Sequence, residues 1–287
     1  MPPRPYSGKI GVMRFSAAGR IALVTGLLAA ALTSSCGRSA SMTSPTNTSK
    51  TASTTVPAAT AARPVTAKPV PPDRRVGAVF VGSASLHTCT GAVLDSAGGD
   101  LILTAAHCLS QGSDATFVAG FNDDAAPEDV WHIDAVYLDP RWVQNQDPLA
   151  DFAIARVSRD SGGTLEAQAG SALTLAPAPK PGTTVTVTGY ASGVGGGPIG
   201  CRTATAAVTN GFPSLPCAEL VDGLSGAPWV TGSDVTGLIG GLDGGGCDND
   251  SLSYSPPFDD AITGLYARAQ AGGPADDAPT GFADDCY

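Results

Sequence analysis

From Val76 onward, apolar and polar residues alternate in short runs that carry the period-two pattern of strands: Val76 to Val81, Thr88 to Leu94, Leu101 to Ala105, Thr116 to Phe121, Trp131 to Leu138, Phe152 to Val157, Thr183 to Thr188, Thr203 to Val208 and Val235 to Ile239. Gly, Pro, Asn and Asp punctuate them. One segment, at about Asp259 to Ala271, reads as a helix. Many short strands and a single helix near the C-terminus predict an all-β architecture, sandwich or barrel, over residues 76–287. Gly193 to Gly197 and Gly240 to Gly246 are glycine-rich, but they lack the strand-to-helix setting of a phosphate-binding loop.

Upstream the pattern changes. Arg4, Lys9, Arg14 and Arg20 precede the apolar run Ile21 to Leu32, and small residues follow, which is the order of an export signal over residues 1–36. The run falls short of the roughly 20 apolar residues needed to cross a bilayer, and Thr25 and Gly26 interrupt it. Leu32-Thr33-Ser34-Ser35-Cys36 resembles a bacterial lipobox, with Thr33 where leucine is usual. It predicts lipidation of Cys36 and anchoring to the outer face of a bacterial plasma membrane; the competing reading is an ordinary cleaved signal and a fully secreted protein. Residues 37–75 collapse to Ser, Thr, Ala and Pro, a disordered tether.

Charge sharpens this division. Residues 1–72 contain no Asp or Glu and ten of the 16 Lys and Arg lie at or before Arg75, so the chain from Val76 holds six basic against 25 acidic side chains, a net of −19. Such a domain repels phosphate backbones and anionic headgroups, which excludes nucleic acid as a partner and leaves Cys36 as the one route to a membrane. Seven cysteines in an exported chain predict disulfides, and setting Cys36 aside leaves an even six.

Three short segments carry candidate chemistry. Leu103-Thr104-Ala105-Ala106-His107-Cys108 is an apolar strand ending in a histidine beside a cysteine, with Cys89 upstream in another strand and placed to staple the histidine loop. Asp151-Phe152-Ala153-Ile154-Ala155-Arg156-Val157 puts an acid at the head of an alternating strand, a better candidate than Asp147. Asp222-Gly223-Leu224-Ser225-Gly226-Ala227-Pro228 is a serine between glycines. A serine hydroxyl is a weak nucleophile until an imidazole takes its proton, and the imidazole needs a carboxylate to hold its tautomer and stabilise its charged form. The flanking glycines allow the N–H groups of Gly223 and Ser225 to converge on one developing oxyanion. A metal pair is the other reading of His107 beside Cys108, but the chain has no CxxC and only His87 and His132 besides, so no metal and no cofactor is expected.

With these residues in view, the chain from Val76 to about Ala271 resembles the trypsin-like serine proteases of the chymotrypsin fold, particularly short secreted bacterial, actinobacterial-type members. TAAHC at His107 is similar to the family's histidine box, DFAIARV to its aspartate strand and GLSGAP to its GDSGGP, in the family's order. The resemblance implies two six-stranded antiparallel barrels with a C-terminal helix. It also implies an exported, monomeric endopeptidase acting on protein or peptide substrates, with His107, Asp151 and Ser225 catalytic. A catalytically silent pseudoprotease serving as a cell-surface protein-binding module is the alternative. Leu224 sustains it, because many relatives carry there an aspartate that braces the oxyanion loop through an ion pair, in some with a newly freed N-terminal amine. Leucine cannot do this, so the loop has to be held by packing of Leu224 or by a neighbour such as Asp222. Beyond Cys89 and Cys108, the four cysteines Cys201, Cys217, Cys247 and Cys286 allow three pairings. Placement on two strands of the second barrel favours Cys201 with Cys217, leaving Cys247 with Cys286; the resemblance offers Cys217 with Cys247 as a rival. The primary pocket implied by the resemblance is lined by Leu215 to Asp222 and Leu238 to Cys247, with Glu219, Asp222 and Asp243 as candidates to receive a basic side chain.

Overall fold

A computed structural model describes residues 65–82, 85–109, 114–246 and 251–281. Six strands, β1 (Val76–Val81), β2 (His87–Leu94), β3 (Leu101–Thr104), β4 (Ala115–Ala119), β5 (Val130–Leu138) and β6 (Ala153–Ser158), close into a barrel in the order β1-β2-β3-β6-β5-β4. Every pairing in it is antiparallel; Val76 opposes Ala92, Leu94 opposes Leu101, and Val81 opposes Ala115 where β4 returns to β1. Closure leaves no strand edge unpaired. All four residues of β3 are buried. The alternation of an ordinary half-exposed strand is lost there because β3 sits between two strands in the middle of the largest apolar cluster, which includes Phe117, Trp131, Phe152 and Ile154.

Three helices brace this barrel. The predicted helix is present as Asp260–Gln270, with the Asp259 carboxylate accepting from the Ala261 N–H at its start and Ala271 at its end. Ile262, Leu265 and Ala269 turn one face of it into the barrel cluster. The two short helices Pro140–Asn145 and Leu165–Ala169 have no counterpart in the apolar pattern. They are one to two turns long, too short to show a 3.6-residue repeat, and caps start them: Asp139 accepts from Arg141 N–H and Thr164 from Ala167 N–H.

The second half departs from expectation. Strands β7 (Thr174–Leu175), β8 (Thr184–Gly189), β9 (Ile199–Ala204), β10 (Pro228–Thr231) and β11 (Asp234–Leu238) join the segment Lys68–Pro69 in a six-stranded sheet ordered Lys68–Pro69, β9, β8, β10, β11, β7. Among the described residues this sheet is not closed, which corrects the expected second barrel. Its outermost members are two residues long, β7 runs parallel to β11, and Pro69 at the far edge has no N–H for a further strand. Ser214–Leu215 and Ser253–Tyr254 pair with each other and not with this ladder. Proline and glycine at Gly211, Pro213 and Pro216 interrupt the chain between β9 and β10. Strand β9 also lies upstream of the predicted Thr203 to Val208, because Thr209 and Phe212 close a turn and leave Val208 on the surface.

Strand pairing begins before Val76. Val65–Thr66 pairs in parallel with Cys217–Ala218, and Lys68–Pro69 with Ile199–Gly200. The folded region therefore starts by Val65 instead of at Val76. This segment is held by backbone bonds, such as Val70 N–H to Pro198 O at 3.0 Å, and its side chains are largely exposed, so it carries no readable period. Disulfides join Cys89 to Cys108 and Cys201 to Cys217. The second of these rules out the rival pairing of Cys217 with Cys247. Cys36, Cys247 and Cys286 lie outside the described residues. Among the described residues no helix is long and apolar enough to cross a membrane.

Candidate active site

His107 sits in the tight turn Ala106–Cys108 that ends β3, and the Cys108–Cys89 disulfide ties that turn back to β2. Asp151 follows a second tight turn, Pro148–Ala150, whose first N–H groups are capped by the Asp147 carboxylate through Leu149 N–H at 3.0 Å. Asp147 is thus a structural cap, and Asp151 is the acid that reaches the histidine. Its Oδ1 accepts from the His107 backbone N–H at 3.0 Å, and its Oδ2 lies 2.8 Å from His107 Nδ1 and 2.8 Å from the N–H of Gly241. A carboxylate can only accept, so Nδ1 carries the proton and the Nε2 of the neutral ring is left as the basic nitrogen. Asp151 is 1% exposed. Burial opposes its charge, but the His107 ring and the N–H groups of Gly241 and His107 outweigh burial and hold the carboxyl below the usual carboxylate range.

The serine segment forms a turn that only glycines permit on either side of Ser225. Gly223 has φ +92°, and a Cβ there would fall 2.1 Å from Ser192 N; Gly226 has φ +84°, and its Cβ would fall 2.1 Å from Thr90 O. A Cβ on Gly226 would also come within 2.9 Å of Ala105 N, which places the turn against the chain leading into His107. Cys108 Sγ lies 3.7 Å from the Ser225 carbonyl oxygen. Ser225 itself is half-buried. Leu224, Gly226 and Ala227 each donate their N–H to a backbone carbonyl, at 3.2, 2.7 and 2.8 Å. Among the described residues the N–H groups of Gly223 and Ser225 donate to none. An oxyanion site needs this contrast: two unpaired donors beside three that are spent.

Leu224 is fully buried beside Val185, Val187, Trp229 and Ile239 in the core under the second sheet. The Asp222 side chain is exposed, and its part in the turn is made by its carbonyl, which accepts from Ser192 N–H at 2.8 Å. Two contributors have no signal in the sequence. Gly241 acts through its backbone N–H on Asp151. Thr90, fully buried on β2, donates its Oγ1–H to Gly223 O at 2.9 Å, accepts from Tyr190 N–H at 2.9 Å, and donates its own N–H to Ser225 O at 2.8 Å. A threonine in a strand is ordinary until its partners are known.

The remaining candidates fall elsewhere. His87 is buried in an aromatic box of Phe80, Phe121 and Tyr190, with Nε2 2.9 Å from Gly195 O. His132 is exposed on β5. Glu219 is exposed in a left-handed turn at φ +61°, and Asp243 is exposed in the tight turn Leu242–Gly245. Cys89, His107 and Cys108 bring possible ligand atoms within 4.8 Å of one another, but the two sulfurs are bonded together and offer no thiolate.

Comparison with known proteins follows the same line. The family model described as Trypsin matches residues 67–251. Among solved structures, the protease Anisep from Arthrobacter nicotinovorans superposes with a TM-score of 0.61 at 22% identity, covering 71% of this chain and 99% of its own. A thermostable serine protease, AL20, from an extremophilic microorganism gives 0.58 at 20% identity over 69% and 98%. A Glu endopeptidase gives 0.58 at 16% identity over 72% and 97%. No curated protein matches.

Proposed function

The chain belongs to the trypsin family of serine-type endopeptidases, and from that premise we propose that it is an exported enzyme that cleaves peptide bonds through His107, Asp151, Ser225 and a covalent acyl-enzyme. The observation that carries this reading is the buried Asp151 carboxylate, held by three donors and aligned on His107 Nδ1 beside the nucleophile turn. Ser225 Oγ attacks the scissile carbonyl carbon as His107 Nε2 removes its proton, and Asp151 stabilises the imidazolium. The carbonyl oxygen, now an anion, is received by the N–H groups of Gly223 and Ser225; each such donor is typically worth about 3 kcal/mol to the transition state. Collapse of this intermediate expels the amine, which takes the proton from His107 and leaves the acyl group on Ser225. Water then attacks the ester with His107 as base, and Ser225 is regenerated. Burial of Leu224 favours a working enzyme over the pseudoprotease reading, because packing in the second core supplies a support that needs no ion pair.

Fluorophosphonate labelling of the purified protein tests this. The expected result is a single phosphonyl adduct at Ser225, absent from Ser225→Ala; folded protein with the Cys89–Cys108 and Cys201–Cys217 disulfides intact that stays unlabelled refutes the catalytic reading. Export and anchoring at Cys36 are part of the proposal, supported by the basic and apolar order of residues 1–36 and the lipobox-like Leu32 to Cys36. A mature N-terminus beginning with diacylglyceryl-Cys36, seen by mass spectrometry of membrane fractions and lost in Cys36→Ala, is expected. A water-soluble mature protein lacking the adduct overturns the anchor.

A further inference from the structure

The turn that carries Ser225 has lost the carboxylate that would hold it by charge, since Leu224 stands in that place and is buried in apolar surroundings. What holds it instead can be traced peptide by peptide. The plane between residues 222 and 223, which contains the Gly223 N–H, is fixed by Ser192 N–H on Asp222 O at 2.8 Å. The plane between 223 and 224 is fixed by Thr90 Oγ1–H on Gly223 O at 2.9 Å, and the plane between 225 and 226 by Thr90 N–H on Ser225 O at 2.8 Å. The plane between 224 and 225, which contains the Ser225 N–H, is held by Ala227 N–H on Leu224 O at 2.8 Å and lies between two that Thr90 holds. Tyr190 N–H donates to Thr90 Oγ1, which leaves the hydroxyl proton free to go to Gly223 O, and Thr104 Oγ1 anchors the Thr90 carbonyl at 2.8 Å.

We infer that Thr90 is a positioning residue for the oxyanion turn: from a fully buried place on β2 it grips the turn on both sides of the nucleophile and, together with the Ser192 N–H on Asp222 O and the Ala227 N–H on Leu224 O, fixes where the Gly223 and Ser225 N–H groups point. The inference rests on the catalytic reading of Ser225. A neutral hydroxyl does not titrate and needs no freed N-terminal amine, so a brace of this kind requires no activating cleavage. The same threonine belongs to the barrel strand that carries Cys89, so the disulfide that steadies His107 and the brace that steadies Ser225 leave from adjacent residues.

Thr90→Val keeps the shape of the side chain and removes the hydroxyl, whereas Thr90→Ser keeps the hydroxyl. Removing one oxyanion donor costs about 100- to 1,000-fold in turnover, and a misaimed pair should cost less, about 10- to 100-fold. Thr90→Val is expected to lose that factor in the rate of fluorophosphonate labelling at Ser225 and in affinity for a peptide boronate, with KM for a peptide substrate little changed. Thr90→Ser is expected to stay within a few-fold of the parent. If Thr90→Val does not fold, Thr90→Ala makes the same comparison with Thr90→Ser. In parallel, amide hydrogen exchange over residues 221–227 is expected to quicken in the variant lacking the hydroxyl while exchange in β5 and β6 stays the same. Equal labelling and exchange in the variant and the parent, or equal impairment by serine, overturns the inference. A parent protein that does not label defeats the catalytic reading alone, and the exchange measurement still decides whether Thr90 holds the turn.

Discussion

Asp151 shows how much a single side chain can be asked to do. It is buried, it accepts three hydrogen bonds, and one of them fixes the histidine tautomer. Asp151→Asn preserves size, but with its carbonyl oxygen kept on the His107 backbone N–H it places an amide against both Nδ1 and the Gly241 N–H, where acceptors are needed. The ring then turns to the wrong tautomer or loses its partner. Turnover is expected to fall about 10,000-fold with the fold and disulfides retained, as steady-state rates and thermal melts would show; a loss below about tenfold would remove Asp151 from the mechanism. In the parent enzyme, activity should also fall as acid protonates the imidazole base, with a single protonation on the acid limb of the rate profile. At this scale the sequence was informative where chemistry restricts residue type, at His107, Asp151, Ser225 and the two glycines. It was silent where the contribution comes from backbone or from a commonplace side chain, as at Gly241 and Thr90.

At the scale of elements, legibility followed the source of the stabilising contact. Barrel strands that bury side chains announced themselves by alternation, and β1 begins and ends at the predicted Val76 and Val81. The segment Val65–Pro69 is attached through its backbone and was invisible to the pattern; so were the short helices, which depend on single caps. That the second sheet is not closed among the described residues has a related reason. Strand number can be inferred from runs of apolar residues, but closure depends on the outermost pairings, and here those involve two-residue pieces with no pattern of their own. The site nevertheless takes shape, because its parts hang on the well-specified elements. His107 ends β3, Asp151 precedes β6 and Thr90 lies within β2, all in the closed barrel, while the serine turn leads into β10 of the second sheet. The proposed triad therefore draws on both halves, and bonds such as Thr90 N–H to Ser225 O register one half on the other.

For the whole molecule the deciding quantity is charge. From Val65 onward the chain carries nine Lys and Arg against 26 Asp and Glu, a net of −17 near neutrality. Self-repulsion of that size weakens the folded state at neutral and alkaline pH and is relieved by salt. On acidification the carboxylates lose their charge, and the fully protonated chain from Val65, with nine Lys and Arg and three His, reaches +12, smaller than the negative charge it replaces. Particular carboxylates add to the acid lability. Burial works against the charge of Asp73, Asp139 and Asp151, yet Arg75, Arg141 and His107 respectively outweigh it, and all three carboxyls are held below the usual range. A carboxyl depressed by folding contributes stability that is complete above its unfolded value and is lost as pH falls through its folded one. The melting temperature is thus expected to rise as pH is lowered from 8 toward about 5, where repulsion eases, and to fall below about 4, where these three acids are forced to protonate. Added salt should raise it more at pH 8 than at pH 5. Asp151→Asn has no charge to lose at this buried site, so its melting temperature should fall less steeply below pH 4 than that of the parent. Thermal melts of the two proteins across this range, at low and high salt, provide the test: parallel acid limbs would show that Asp151 has no share in acid unfolding.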